Sequence, residues 1–452
     1  MTTVAPAEQI PLSFHQEFLC AFDTGTTEGP FGPRYHVVGA WRLRGELDLG
    51  ALEAALRDVV DRHEALRTVI VRDRGRPYQS VLAPCPPELS VRDLRGCAPE
   101  ERERRAEELL NEVESETNDA GELPLIRAVV GRFDDTDAVL VLNAHHTAAD
   151  AWSIDVILRD LLACHAARAR GAAPDLPPVP QYRDHARHER ENAAGPAAAA
   201  ARAYWRERLR DASITALRTD RPRSAGAPKA TSWHRFAVDA EVASATVSLA
   251  GELKSSPFMV LFAAYQVFLR GLTGTDDLVV PTFTPGRGNA RFHETVGSFI
   301  NFLPLRTDLS GCETVRDVVR RTRQTCLGAY SHDIPFVQIL EEAPALMAPV
   351  ASDDLQVSAF QAISSPYLAA DERAGGLRYS KLWRRTLSQE VGSDVPDGIL
   401  WTLHIGPSND MVGSLGFNGN RFDADTMSGM LADFLRLLRR AVTAPDTALR
   451  RL

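Results

Sequence analysis

Residues 141–153 read VLNAHHTAADAWS: an apolar run, two adjacent histidines, an aspartate four positions after the second, and the start of a helical pattern. Imidazole has its unperturbed pKa near working pH, so His145 or His146 can take a proton from a nucleophile and return it with little tuning. A carboxylate at Asp150 can fix the loop or pair with a cation, and it need not touch either ring. Other readings compete on residue type alone. Paired histidines are often hydrogen-bonded core residues. The spacing HxxxD is compatible with a metal, but no second His/Asp/Glu cluster of metal-site spacing stands nearby, so no metal is expected. A serine hydrolase reading fails for want of a GxSxG elbow.

The elements that must position these groups show in the hydrophobic period. PLIRAVVGRFDDTDAVLVLNAHH predicts two hairpin strands turning at Asp134 to Asp137, the second of which delivers the histidines. From Ser153 onward, Ile154, Ile157, Leu158, Leu161 and Leu162 fall at helical spacing, with Ser153 and Asp155 suited to the first turn. Upstream, YHVVGAWRLRG, LDLGALEAALRDVVDRHEAL and RTVIV predict strand, helix and strand, hence sheet and helix packed in layers. PEERERRAEELLNEVESET is a charge-laced helix with Leu109, Leu110 and Val113 on its core side.

Four prolines in GAAPDLPPVPQY, residues 171–182, make a stiff extended segment and the expected linker between halves. Beyond it, AARAYWRERL predicts a helix, and SSPFMVLFAAYQVFLRGLTG predicts a very apolar one with Pro257 at its first position. DDLVVPTFTPGR and FINFLPLRTDLS predict strands, ETVRDVVRRTRQTCLGAY a helix, GILWTLHIG and MVGSLGFNG paired strands, and DADTMSGMLADFLRLLRR a closing helix.

The chain has 452 residues, more than one core usually fills, so two lobes are expected. A formal charge of −9 gives no electrostatic reason to approach nucleic acid or an anionic membrane. No window approaches 18 unbroken apolar residues, and MTTVAPAEQIPLSF lacks the order of a signal peptide, so a cytoplasmic location is expected. The six cysteines are scattered without a CxxC pair and read as reduced thiols.

HHxxxD followed by a small residue resembles the signature of acyltransferases of the chloramphenicol acetyltransferase type and of condensation domains of nonribosomal peptide synthetases. The resemblance to the latter extends over nearly the whole chain. LSFHQEFL (12–19), RHEALRT (62–68), AHHTAADAWS (144–153), QYRDHARH (181–188), VGSFINFLPLR (296–306) and HDIPF (332–336) are similar to six of that family's motifs, in its order.

The resemblance implies an α/β (α+β) fold of two chloramphenicol acetyltransferase-like lobes in a V-shaped pseudo-dimer, with the active site at the junction. The lobes are expected at 1–175 and 184–452, with 176–183 between them. It also implies transfer of an acyl or aminoacyl group, held as a thioester on the 4'-phosphopantetheine arm of a peptidyl or acyl carrier protein. No cofactor is expected to be bound permanently. Carried over by position, His146 is the catalytic histidine, His145 supports the loop, and Asp150 pairs with Arg287 of TPGRGN rather than serving in a triad. Ala151, Trp152, Ser153 and Asn301 are expected as active-site neighbours. His146 could act as general base, position the acceptor, or stabilise the tetrahedral intermediate.

Departures from the family pattern fall on the acceptor side. Phe18 stands for the usual arginine of the opening motif, His15 for its alanine, Ala151 for the glycine after the aspartate, and Ser331 and His332 for a histidine and glutamine. The chain ends at Leu452 with no adenylation module or carrier-protein serine motif, so a discrete enzyme is expected. Discrete members of the family, as in enediyne antibiotic assembly, join a carrier-tethered amino acid to a small hydroxyl or amine. A small-molecule alcohol or amine acceptor is expected, with ester favoured over amide. An acyl coenzyme A donor and a catalytically silent recruitment domain are the alternatives.

Overall fold

All nine residues of the strand Asp137–His145 are buried. A strand apolar on both sides needs cover on both faces, and it has it. Leu140, Leu142 and Ala144 pack into a core shared with helices Leu49–Arg62 and Ala151–Arg168. Val139 and Val141 point the other way, against Leu109, Leu110 and Val113 of helix Arg102–Ser115. The strand is thus the centre of a helix, sheet, helix sandwich.

The computed structural model describes residues 9–72, 75–363, 372–395 and 397–451. The first eight residues, which the signal-peptide reading covered in part, lie outside these. Around Asp137–His145 the sheet runs, in spatial order, Glu372–Ala374, Leu377–Lys381, His36–Arg44, Asp137–His145, Ile126–Arg132 and Glu88–Asp93. Its pairs are antiparallel except the last, Glu88–Asp93 with Ile126–Arg132. Thr68–Val71 leaves this sheet for a small three-stranded one with Ile10–Pro11 and Tyr78–Val81.

The second lobe is built on a five-stranded sheet in the order Ala216–Arg218, Leu355–Ile363, Ile399–Ile405, Met411–Asn418, Thr231–Ala237. Its central helix Pro257–Thr273 begins at a Ser256 cap and buries every residue from Met259 to Leu269. Helix Ala424–Thr443 closes the layer, with Phe434 packed against Trp401 and Phe268. Asp277–Thr284 and Asn301–Asp308 pair as a separate antiparallel ribbon.

Sequence patterning does not reveal how the lobes are joined. Residues 372–381 come from the C-terminal half yet form two strands of the first sheet, and Lys381 places Nζ 2.5 and 2.7 Å from the Asp155 carboxylate. Nearby, buried Glu114 accepts hydrogen bonds from Arg235 at 2.8 Å, Gln389 at 3.0 Å and Ser393 at 2.7 Å, and from Arg385. Two guanidinium groups hold its carboxyl well below the usual range against the opposing effect of burial. Without both arginines a buried carboxylate here would be costly.

Candidate active site

The turn between strand Asp137–His145 and helix Ala151–Arg168 gives its two histidines opposite surroundings. His145 is fully buried, with Nε2 3.2 Å from the Gly32 carbonyl and Nδ1 2.8 Å from the Thr147 hydroxyl. A carbonyl only accepts, so the proton sits on Nε2. Burial pushes this imidazole down to about 4, and it stays neutral. The ring braces the turn.

His146 is half-buried. Its backbone N–H donates to the Tyr35 carbonyl at 2.9 Å, and the Tyr35 ring stacks on the imidazole with centroids 4.9 Å apart and planes 21° from parallel. Nδ1 donates to the Ala149 carbonyl at 2.8 Å, which fixes the tautomer and leaves a lone pair on Nε2. Among the described residues nothing hydrogen-bonds that nitrogen. Burial lowers the pKa of His146, while Asp150 opposes the shift. The side chain therefore presents a neutral, unengaged base.

Asp150 is the N-cap of helix Ala151–Arg168, its Oδ1 accepting from the Ser153 N–H at 2.7 Å. The helix thus starts two residues before the expected Ser153, because the aspartate supplies the cap. Oδ2 accepts from the Phe299 N–H at 3.0 Å, and Arg287 Nη2 lies 3.2 and 3.4 Å from the two oxygens. Neither oxygen bonds His146. Arg287 Nη2 also donates to Ser153 Oγ at 2.8 Å, Nη1 donates to the carbonyls of Phe292 and Thr295 at 2.9 Å each, and the guanidinium stacks 3.9 Å over Phe299. Gly286 has φ +61°, and a Cβ there would stand 1.8 Å from the Phe299 carbonyl oxygen, so only glycine allows this approach.

Ser153 Oγ donates to the Gly297 carbonyl at 2.7 Å, and Trp152 Nε1 donates to the His293 carbonyl at 2.9 Å, so both carry the helix start across to the second lobe. Ala151 is exposed. Asn301 is engaged elsewhere: Nδ2 donates to Asp333 at 2.7 Å and to the Ile334 carbonyl at 2.8 Å, and Oδ1 accepts from the Phe336 N–H at 3.0 Å. It shapes the turn before helix Phe336–Glu342.

Two residues at the junction were not named as site residues, although Tyr182 lies in the QYRDHARH motif. Tyr35 lies inside a strand-like pattern that gives no hint of the stack on His146. Tyr182 donates from its hydroxyl to the Ser298 carbonyl and receives the Ser13 hydroxyl at 2.9 Å, which ties the opening motif to the junction.

Two α/β lobes that meet beside the turn carrying the histidine pair define the chloramphenicol acetyltransferase-like class of fold. The chain belongs to the condensation-domain family of nonribosomal peptide synthesis, whose profile, described as "Condensation domain", matches residues 7–369.

One of the linear gramicidin synthase proteins of Brevibacillus parabrevis is 33% identical over 452 residues, which are 99% of this chain and 9% of that protein. Phosphinothricin tripeptide synthetase PhsB of Streptomyces viridochromogenes is 31% identical over 96% of this chain and 36% of its own length. This chain therefore spans a minor part of those synthetases. Among solved structures, SgcC5 of Streptomyces globisporus, crystallised with (R)-(-)-1-(2-naphthyl)-1,2-ethanediol and sucrose, is 56% identical with a TM-score of 0.94, covering 97% of this chain and all of that one. The X-domain from teicoplanin biosynthesis, in complex with OxyB, is 26% identical with a TM-score of 0.75, covering 100% of this chain and 97% of that one. Among the described residues no helix is long and apolar enough to cross a membrane.

Proposed function

We propose that this protein transfers an acyl or aminoacyl group from the phosphopantetheine thioester of a carrier protein to a hydroxyl of a small-molecule acceptor. The observation that carries the reading is the orientation of His146, whose Nδ1 proton is committed to the Ala149 carbonyl so that Nε2 is left as acceptor. In the step, the acceptor O–H gives its proton to Nε2 as its oxygen attacks the thioester carbonyl. The new C–O bond forms and the C–S bond breaks. His146 returns the proton to the departing sulfur, which leaves as the free thiol. A hydroxyl is a weaker nucleophile than an amine, so the ester version depends more on this base.

Asp150 and Arg287 hold the turn and the two lobes in register rather than relaying protons. That role fits the distribution of their bonds, none of which goes to His146. The lobes are read as 1–175 and 184–452, meeting at 176–183, with 372–381 crossing back into the first sheet. The naphthyl diol held by the relative 56% identical to this chain supports a hydroxyl-bearing acceptor.

The test incubates the protein with an aminoacylated holo carrier protein, or the matching acyl coenzyme A, together with paired diols and amines, and reads products by mass spectrometry. Ester formed from the carrier-borne donor, with a loss of about 10²- to 10⁴-fold in His146→Ala, is the expected result. Preference for coenzyme A, or amide as the main product, would replace the donor or acceptor half of the proposal. The X-domain likeness raises a recruitment reading in which no chemistry occurs. Product formation no faster than without the protein, for the parent and His146→Ala alike, would favour it.

A further inference from the structure

Acyl transfer places negative charge on the thioester oxygen as the tetrahedral carbon forms, and a donor aimed at that oxygen stabilises it more than it stabilises the substrate. Around His146 the donors described above are already committed. Arg287 gives its Nη atoms to Asp150, Ser153 and the carbonyls of Phe292 and Thr295. Trp152 Nε1 goes to His293, Ser153 Oγ to Gly297, and Asn301 Nδ2 to Asp333 and Ile334. The backbone N–H of His146 goes to the Tyr35 carbonyl.

Tyr35 is the exception. It stands just before strand His36–Arg44, and its ring is held from several sides. Leu19 and Phe31 pack with it, the His146 imidazole stacks on it, and the His145 ring meets it edge-on at 6.2 Å and 71°. The residue is only 6% exposed, yet its hydroxyl bonds no described residue and is not sealed from solvent. The little surface left to Tyr35 therefore includes that hydroxyl. A tyrosine buried for packing alone usually finds its O–H a partner, and this one is left with none. The oxygen of a phenol lies nearer its own ring centre than the 4.9 Å between the two stacked centroids, which keeps the hydroxyl in the immediate surroundings of the imidazole. Burial pushes this phenol up and the charge of Asp394 adds to the shift, so the group keeps its proton and acts as a donor. Asp394 is fixed close by, its N–H donating to the Arg34 carbonyl at 2.8 Å.

We propose that Tyr35 is a second catalytic residue, its hydroxyl donating a hydrogen bond to the thioester oxygen as that oxygen becomes negative. While His146 takes the acceptor's proton and the new bond to carbon forms, the carbonyl π pair moves onto oxygen, and Tyr35 holds the charge without releasing its own proton. The pair returns to re-form C=O as the C–S bond breaks and His146 delivers its proton to sulfur. One backbone register sets base and donor together, because His36 pairs with His145 and the Tyr35 carbonyl receives the His146 N–H. The inference rests on the acyl-transfer reading above and is the same for a hydroxyl or an amine acceptor.

The experiment uses Tyr35→Phe, which keeps the ring and its stack, with an aminoacylated holo carrier as donor. The variant is expected to lower kcat about 10²- to 10³-fold with KM for donor and acceptor little changed. Hydrolysis of the donor by the protein, in which water replaces the acceptor, should fall by the same factor. His146→Ala/Tyr35→Phe should be slower than His146→Ala alone. A trifluoromethyl ketone of pantetheine, which hydrates to a tetrahedral gem-diol, reads the contact without turnover. By calorimetry Tyr35→Phe should bind it about tenfold more weakly, and should bind the matching thioether, which has no carbonyl oxygen, as the parent does. If the phenylalanine variant is unfolded by circular dichroism, 3-fluorotyrosine at position 35, a more acidic donor, should raise kcat. An unchanged kcat, a loss confined to KM, or a double variant no slower than His146→Ala would overturn the proposal and leave the acyl-transfer reading standing. If the parent transfers nothing from the carrier, yet Tyr35→Phe weakens the ketone and spares the thioether, the transfer reading is wrong and the role of the hydroxyl stands.

Discussion

Asp150→Ala should destabilise the protein before it affects the chemistry. The side chains of Asp150 and Arg287 are 3% and 1% exposed, so removing the carboxylate leaves a guanidinium buried beside Phe299 with Ser153 Oγ as the remaining partner of Nη2. Breaking a buried pair by deleting one member costs roughly 3–5 kcal/mol. The substitution also removes the helix cap on the Ser153 N–H, which costs about 1 kcal/mol more.

Asp150→Asn keeps an acceptor for that N–H, so it should be milder by about the value of the cap. Arg287→Met should be milder too, because the carboxylate retains two backbone donors, Ser153 and Phe299. The double variant Asp150→Ala/Arg287→Met should cost about 2 kcal/mol less than the sum of its parts. Urea unfolding at pH 7, followed by circular dichroism and by the fluorescence of Trp152 and the other tryptophans, measures all four variants. Additive losses would refute the clasp. So would an Asp150→Ala protein as stable as the parent but as inactive as His146→Ala, since the carboxylate would then be acting on the imidazole.

Acid should destabilise the fold early. His145, His15 and His404 are pushed by burial to about 4, 3 and 4, so the native state holds them neutral while the unfolded chain binds their protons below about 6.5. Stability is thus complete above pH 6.5 and falls toward pH 4, with His145 alone costing about 2 kcal/mol by pH 5. Thermal melts across this range should show the fall, and His145→Asn should flatten it. A flat parent profile would refute the assignment. Gly286→Ala should cost about 2 kcal/mol or more, because of its φ and its approach to Phe299, and should lower turnover by displacing Arg287. Gly274→Ala, at φ +72° with nothing within 4 Å, should cost about 1 kcal/mol and leave turnover unchanged. Glu114→Gln should speed hydrogen exchange in residues 385–393 relative to helix Pro257–Thr273, because the charge that gathers Arg235 and Arg385 is gone.

Local elements were legible wherever one period dominated. The hairpin into His145, the helix with Leu109, Leu110 and Val113 on its core side, and the pairing of Ile399–Ile405 with Met411–Asn418 each follow from the spacing of apolar residues. The cross-lobe partner of Asp150 was legible only through the family resemblance. Nothing local to TPGRGN points 137 residues back along the chain. The return of 372–381 to the first sheet was not legible, because ERAGGLRYSK carries too little apolar alternation to declare its partner. Tyr35 and Tyr182 were not named as site residues for a similar reason: their roles arise from contacts between elements. Position 182 did give a signal, as the tyrosine of the QYRDHARH motif.

The spacing of HHxxxD itself has a mechanical explanation in this turn. His145 is the last residue of a fully buried strand, so its side chain must point into the fold and satisfy both nitrogens there, as it does on Gly32 and Thr147. His146 falls on the opposite side, since successive side chains along a strand alternate. Its Nδ1 needs an acceptor, and the carbonyl that reaches it is that of Ala149, three residues on. The next residue must then turn the chain into a helix. An aspartate there caps the helix with one oxygen and uses the other to receive Phe299 from the second lobe. One residue more or fewer between His146 and Asp150 would separate the fixed tautomer from the capped helix. The spacing therefore couples the direction of the Nε2 lone pair to the seating of the lobes.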